Sequence, residues 1–498
     1  MNYRLLLRLL GLLLGGFSLT MIPSCLCAVY YGEWVELEVF GGAMGALLIA
    51  GGVLFLAGRG ASNRMFQRET LALVALGWLA AAFAGALPFV FSGEMNLVDA
   101  YFESMSGLTT TGATVVSDIE GLSKTALFWR SFLHFIGGIG IVVLFISVLP
   151  YLGVGGKHLF LSESGADPRG FSPRIRETAS LLLRIYIGLN LVLTILLMMA
   201  GMNLYDALVH AFGTIATGGF SNRQASAGAY DSIPIEIILT VFMLIGGTNF
   251  ALFLAMWRGD WKAPLRDSEW RTFVGLYLLA VVVITLNLSF ARTESAIDEH
   301  PPTLSGGDAA YPVGEALRVS SFTVASLGTS TGFITDNFDM WPYFSQMVLV
   351  MMMLMGGCAG STSGGIKVFR ILVLMKVLYW RLDNAFRPKT MRPLRLGEKV
   401  LDGEDQRKVL TYILLHLTVL GFGGLAIAGM DVPPMTSWTA VLTCMSNAGP
   451  GLEYVGGGHD FSKMPDFAKV LLTLFMAMGR LEIVAILVLF RPDFWRHS

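Results

Sequence analysis

The chain is 498 residues long; 54% of them are hydrophobic, only 14% are charged, and the formal net charge is −1. Soluble domains carry roughly a quarter charged residues, so this composition excludes a soluble globular protein, and the near-neutral balance offers no basic field for nucleic acid. The four cysteines, Cys25, Cys27, Cys358 and Cys444, have no CxxC spacing and no Cys/His cluster, which argues against a zinc site or disulfide framework and for thiols buried in helices.

In chain order, Arg4 and Arg8 precede the apolar run Leu9–Val29 in the manner of a signal peptide, yet no small-residue cleavage pattern follows. Pro23 disfavours a lipoprotein site at Ser24-Cys25, so a retained first transmembrane helix is expected. Apolar runs follow at Leu71–Phe91, Ala126–Leu149, Leu181–Met199, Ile235–Met256, Phe273–Phe290, Leu410–Met430 and Phe467–Phe490. Each approaches or exceeds the roughly 20 residues that cross a bilayer. Basic residues gather in alternate loops: Arg59, Arg64 and Arg68; Lys157, Arg169, Arg174 and Arg176; Arg258, Lys262, Arg266 and Arg271; the stretch from Arg381 to Lys408 (Arg387, Lys389, Arg392, Arg395, Lys399 and Arg407 among them); and Arg491 with Arg496. The loops between them, Glu33–Glu38, Ser117–Glu120, Glu294–Asp308 and Glu453–Asp466, are acidic or neutral. By the positive-inside rule the basic loops and both termini face the cytoplasm.

Four segments share one plan. An apolar helix leads out, a short semi-apolar stretch follows, a Thr/Ser/Gly-rich turn ends it, and a second apolar helix returns. The turns are Leu108–Thr114, Thr214–Ser221, Gly328–Phe333 and Met445–Gly451, and the stretches before them are Leu97–Gly107, Leu204–Gly213, Glu315–Leu327 and Ser437–Cys444. The stretches are too short to span and read as re-entrant half-helices. Units that cross twice share one orientation and can surround an axis. The expected fold is therefore an all-α polytopic membrane protein with four pseudo-symmetric helix–pore loop–helix repeats around a central pore, plus two extra N-terminal transmembrane helices. The expected divisions are 1–67 for the N-terminal pair, 68–152, 153–258, 259–395 and 396–498 for the repeats.

Irregular backbone at membrane depth survives only when it is buried in protein or lines water. A lone Thr-Gly is an ordinary helix C-cap, but four at equivalent places suggest a shared aqueous path with backbone carbonyls replacing an ion's hydration shell. Glycine permits the backbone angles and the close approach this needs, and the half-helices aim their negative carbonyl ends at a cation. Asp99, Glu103 and Glu453 read as ordinary surface charge near the mouth, and His134 and His210 as packing residues.

Together with Gly356–Lys367, Gly479-Arg480-Leu481-Glu482 and Leu487–Phe490 ahead of Arg491-Pro492 and Phe494-Trp495, the first turn, Ser106–Thr114, gives the chain its resemblance to a known family. Over nearly its whole length the chain resembles the membrane subunits of bacterial Trk-type potassium uptake systems, the TrkH and TrkG proteins of the Trk/Ktr/HKT superfamily. The resemblance implies K⁺ uptake across the bacterial inner membrane through a selectivity filter with one glycine per repeat, at Gly112, Gly219, Gly332 and Gly449. Gly218 competes with Gly219; Gly219 is preferred because Gly219-Phe220 then matches Gly332-Phe333. Thr110, Thr111, Thr217, Gly218, Ser330, Thr331, Asn447 and Ala448, the two residues before each glycine, would add carbonyl ligands. Gly112, where Na⁺-preferring relatives often carry serine, favours K⁺. The resemblance also implies a TrkA-like cytosolic nucleotide-binding regulatory subunit, with the Arg381–Lys408 stretch as its candidate dock, and a homodimer in the lipid bilayer. K⁺ is the transported ion, and no organic cofactor is implied.

Glycine disfavours helix interiors by about 1 kcal/mol each, so the glycine-rich stretch 356–365 should unwind; the alternative is a close helix-packing surface. By resemblance it is the intramembrane loop that gates the path, with Gly356, Gly357, Gly360, Ser361, Gly364 and Gly365 as its gating residues and Lys367 and Arg480 beside it. Lys367 reads as gating or as an inside anchor, and Arg480 as a charge below the filter or as the ion-pair partner of Glu482 or another buried carboxylate. Gly153–Gly156 lacks the strand–helix context of a nucleotide site. An enzyme would need convergent catalytic groups, and His134, His158, His210, His300, His416 and His459 scatter along the chain. The remaining alternative is an H⁺- or Na⁺-coupled secondary cation transporter.

Overall fold

The computed structural model describes residues 1–61, 67–147, 171–290, 311–387, 395–396 and 399–495. The expectations placed on Arg64, Gly153–Gly156, Lys157, His158, Arg169, Glu294–Asp308, Lys389, Arg392 and Arg496 lie outside the described residues, as do those on the side chains of Arg174, Arg176, Arg395 and Lys399.

The chain opens with α1 (Tyr3–Leu19), whose N-cap Asn2 accepts from the Leu5 amide, and α2 (Ile22–Tyr31), with Pro23 in its first turn. The two run on as one 29-residue apolar span. Gly32 ends it in a left-handed cap at φ +72°, and α3 (Trp34–Ala57) returns. Where α1 meets α3, a Cβ on Gly11 would sit 2.5 Å from the Gly51 carbonyl oxygen. In a membrane, such bare contacts let helices bind by close packing.

Four repeats follow. The first is α4 (Gln67–Phe91), the short α5 (Leu97–Leu108) and the returning α6 (Lys124–Ser147). The second is α7 (Phe171–Met199), the short α8 (Leu204–Ile215) and a return in two pieces, α9 (Ile233–Gly246) and α10 (Phe250–Trp257). The short α11 (Ala263–Arg266) leads to α12 (Ser268–Phe290), α13 (Val313–Gly328), α14 (Tyr343–Met355) and, past the glycine-rich loop, α15 (Val368–Phe386). A small antiparallel hairpin pairs β1 (Arg395–Leu396) with β2 (Lys399–Val400), Arg395 opposite Val400. The last repeat is α16 (Gly403–Ala428), α17 (Pro434–Ser446), α18 (Asp466–Leu481) and α19 (Ile483–Leu487), with α20 (Pro492–Trp495) after it. Among the described residues six helices are long and apolar enough to span a membrane, and the bent pair α9–α10 makes a seventh.

Two expected continuous spans are interrupted. The run Ile235–Met256 bends by 93° between α9 and α10. Gly246-Gly247 has no side chains to shield the ladder, and the Asn249 side chain starts a new helix by accepting from the Ala251 amide. The run Phe467–Phe490 breaks at Glu482, which sits at φ +70°.

Each returning helix lies against the short helix of the next repeat: α6 on α8, α9 on α13, α14 on α17 and α18 on α5. The last contact meets the first repeat, so the ring closes. Polar stitches cross three of these seams. The Tyr205 hydroxyl on α8 donates to the Lys124 carbonyl on α6 at 2.6 Å. Arg318 on α13 forks onto Glu236 on α9 with two 2.7 Å bonds. Lys469 on α18 meets Asp99 on α5 at 2.6 Å. Around the ring, Leu279, Val282 and Leu286 of α12 and Leu414, Phe422 and Leu425 of α16 are exposed, as suits a protein whose outer solvent is hydrocarbon.

Replacing Gly51 by valine should push α1 off α3 at a cost of about 1–3 kcal/mol. The expected readout is a lower unfolding temperature in detergent than that of the parent protein; an unchanged temperature would show that this contact does not hold α1 to α3.

Candidate functional site

All four short helices end in the same turn. Thr110, Thr217, Ser330 and Asn447 adopt left-handed backbone, with φ of +53°, +55°, +56° and +50°. Their amides donate to the carbonyls of Gly107, Thr214, Leu327 and Cys444. The following amides, of Thr111, Gly218, Thr331 and Ala448, reach five residues back to Ser106, Gly213, Ser326 and Thr443. This is a Schellman cap, but glycine is missing from its left-handed position. Holding threonine or serine there costs about 1–3 kcal/mol each, a strain repeated around the ring.

The next residue in each turn is Gly112, Gly219, Gly332 or Gly449, at φ +80°, +78°, +87° and +84°. Here glycine answers both to the backbone and to space. A Cβ on Gly112 would sit 2.0 Å from the Gly218 oxygen, on Gly219 2.0 Å from the Thr331 oxygen, on Gly332 2.5 Å from the Ala448 oxygen, and on Gly449 2.9 Å from the Thr111 oxygen. Each glycine is thus covered by the carbonyl that precedes the glycine of the next repeat, and the circuit closes. Among the described residues no donor reaches those four carbonyls. Gly219 shares its conformation with the other three glycines, whereas Gly218 backs onto the His134 ring.

The turns are braced from behind. Glu103, expected at the surface, is fully buried and pairs with Arg130 at 2.7 Å. Its carboxylate also accepts from the Thr114 hydroxyl and the Val115 amide, while the Arg130 guanidinium lies 4.4 Å from the Phe220 ring in the second turn. The expectation failed because the amphipathic half-helix turns Glu103 inward, where Arg130 of α6 supplies a cation. His210 holds the corresponding place in the second repeat, its Nε2 3.1 Å from the Ser221 hydroxyl. His210 also stacks on Phe333, and His134 on Phe220. In the third turn the Ser326 hydroxyl donates to the Phe333 carbonyl at 2.6 Å. The Asn447 amide ties the fourth turn to the first, donating to the Thr111 hydroxyl at 2.9 Å. Asp99 is taken up by Lys469, and Glu453 accepts from the Thr436 hydroxyl. In the loop after the third turn, burial pushes the Asp339 carboxyl up to about 6, and it accepts from the Glu453 amide.

The stretch 356–365 is unwound and lies against the third and fourth turns. The Gly364 amide donates to the Ser330 hydroxyl at 2.6 Å, and a Cβ on Gly364 would meet the Ser446 carbonyl at 1.9 Å. Gly356, Gly360, Gly365 and Lys367 have φ of +66°, +75°, +77° and +81°. The Gly357 amide donates to the Ser363 hydroxyl and the Ser361 hydroxyl to the Cys358 carbonyl, so the loop is internally turned. Lys367 folds back, its ammonium donating to the Ser363 carbonyl. Arg480 is buried and donates to the carbonyls of Thr362 and Gly137. The alternative reading, a pairing with Glu482, is not formed: Glu482 pairs with Arg370 at 2.5 Å, and Arg370 stacks 3.6 Å from the Tyr412 ring. Among the described residues Arg480 meets no carboxylate, so its charge stands on carbonyl dipoles alone.

Sequence reasoning missed Arg130, Glu269, Arg370 and the helix break at Gly246–Asn249. The signal for Arg130 and Arg370 was present, since charges within apolar runs are functional by default. The break was announced only by the short Gly-Gly-Thr-Asn run.

Replacing Arg130 by methionine leaves Glu103 buried and unpaired, which should cost about 3–5 kcal/mol. The double replacement Arg130→Met with Glu103→Gln should cost clearly less. Thermal unfolding in detergent compares them; equal losses would show that the pair is not coupled.

Residues 38–497 match the model of a family described as TrkH, cation transport protein. The chain is 37% identical over 503 residues to the Trk system potassium uptake protein TrkH of Salmonella typhimurium, with 100% of each covered. It is 31% identical over 500 residues to the Trk system potassium uptake protein TrkG of Escherichia coli, covering 99% of each. The crystal structure of the potassium transporter TrkH from Vibrio parahaemolyticus is similar with a TM-score of 0.88 at 33% identity, and 100% of both chains is covered.

Proposed function

This chain belongs to the TrkH family of cation transport proteins and is a multi-pass bacterial inner-membrane protein; from that premise we propose that its cation is K⁺ and that the ring of turns is its selectivity filter. The observation that carries the reading is the closed circuit in which Gly112, Gly219, Gly332 and Gly449 each abut a carbonyl of the next repeat. Four undonated oxygens around one axis offer a dehydrating K⁺ a replacement for its water shell. The short helices add the negative ends of their dipoles. Two of the left-handed residues are threonines and one is a serine, and the strain they hold is repaid if the carbonyls must point inward. The carbonyls of Thr110, Thr217, Ser330 and Asn447 would form a second layer.

In this reading residues 356–365 close the path beneath the filter. Arg480, held against the loop by the Thr362 carbonyl, places an uncompensated positive charge where a cation would otherwise rest. The repeat divisions 68–152, 153–258, 259–395 and 396–498 then describe functional quarters, with both termini on the cytoplasmic side. A TrkA-like nucleotide-binding subunit would act on the loop from the Arg381–Lys408 stretch, and two copies would pair in the bilayer. The relatives' names, potassium uptake proteins, agree with this choice of ion.

The test is uptake of radioactive Rb⁺ into liposomes holding the purified protein, with K⁺ and Na⁺ as competitors. K⁺ should compete at least about tenfold better than Na⁺, a difference of about 1.4 kcal/mol. Gly112→Ser should narrow the gap. Competition by K⁺ and Na⁺ alike in the parent protein would sink the filter reading, and uptake that follows a pH gradient instead would favour coupled transport.

A further inference from the structure

The glycine-rich loop is held mainly by parts of the protein outside it. The broken end of α9 supplies one set of bonds. The Gly247 carbonyl accepts from the Cys358 amide at 2.9 Å, and the Gly246 carbonyl accepts from the Thr362 amide and hydroxyl at 3.3 and 3.0 Å. In return the Phe250 amide, at the start of α10, donates to the Gly360 carbonyl at 3.0 Å. The second holder is Glu269, on the first turn of α12, where it is 4% exposed. Its Oε1 accepts from the Ala359 amide at 2.6 Å and from the Phe369 amide at 3.0 Å.

Those amides lie on opposite sides of the left-handed residues Gly360, Gly365 and Lys367. Ala359 is in the loop, and Phe369 is in the first turn of α15, a helix without a side-chain cap of its own. One carboxylate oxygen therefore caps α15 from another helix and fastens the loop to the same point. Bonds from amides to a buried carboxylate are the strong kind, and the helix dipole adds to them. The loop's own backbone ties its two ends together, with the Val368 amide on the Gly357 carbonyl at 3.1 Å and the Lys367 amide on the Met355 carbonyl at 2.9 Å, and leaves its middle, Ala359 to Thr362, to the outside holders. Among the described residues Glu269 makes no hydrogen bond to the proposed filter, and its two bonds go to the loop and the start of α15.

We propose that Glu269 is the latch of the intramembrane loop, a positioning residue that holds it shut, with the broken end of α9–α10 as the keeper. The inference rests on the reading of residues 356–365 as the gate. Release frees the Ala359 and Phe369 amides together, so the loop and the start of α15 move as one.

Cys358 reports the loop's position without reference to ion flow, because it is fully buried among loop, α9 and α12. With Cys25→Ala, Cys27→Ala and Cys444→Ala it becomes the one thiol in the chain. The experiment measures the rate at which a water-soluble maleimide modifies Cys358, alongside Rb⁺ flux and Rb⁺/Na⁺ discrimination in liposomes. Glu269→Ala should raise the modification rate and the flux roughly tenfold, with discrimination unchanged. Glu269→Gln, a weaker acceptor, should fall between. Thr362→Ala, which loosens the keeper, should act in the same direction and decides the matter with Glu269→Gln if the alanine variant does not fold. Unchanged modification of Cys358 in folded Glu269 variants would overturn the latch. Faster modification with unchanged flux would uphold the latch and overturn the gate on which it rests.

Discussion

Backbone groups at membrane depth must be paired, buried in protein or wetted, and the carbonyls of Thr111, Gly218, Thr331 and Ala448 find no donor among the described residues. Their placement depends on the preceding repeat being in position, because each lies over the bare face of that repeat's glycine. No repeat could hold such a turn alone. The ring must close before any of the strained residues is stable, and closure in turn demands that a returning helix meet the next short helix at every seam.

The buried and half-buried ion pairs serve that closure. Glu103 and Arg130 fasten the first turn and reach the second through Phe220. Arg318 with Glu236 and Lys469 with Asp99 cross from one repeat to the next. A buried pair is weak evidence of added stability, because desolvation cancels much of the attraction; what it supplies here is register, since misplacing either partner strands a charge in a poor dielectric. Arg480 differs from all of these. It is buried against carbonyls, and in the proposed reading its field acts on the cation path.

Much of this was legible in the residues and some of it was not. The four Thr/Ser/Gly turns and their short lead-in helices could be read because the turn motif is local: the helix stop, the left-handed residue and the glycine are contiguous. The unwinding at 356–365 was legible for the same reason, as glycine density acts on backbone directly. The break at Gly246–Asn249 escaped because the run around it is apolar enough to span, and its broken carbonyls become tolerable only through the loop of another repeat. Glu103 was misread and Glu269 passed over because their partners lie 27 and 90–100 residues away. Sequence spacing carries no sign of such contacts.

The central claim is that a dehydrated monovalent cation sits on the axis enclosed by the carbonyls of Thr111, Gly218, Thr331 and Ala448. The direct measurement is anomalous diffraction from crystals of the protein grown in Rb⁺ and, separately, in Na⁺. The account predicts an anomalous peak on the axis at the level of those oxygens in Rb⁺, and no ion there in Na⁺. A Rb⁺ peak elsewhere, with that ring empty, would contradict it.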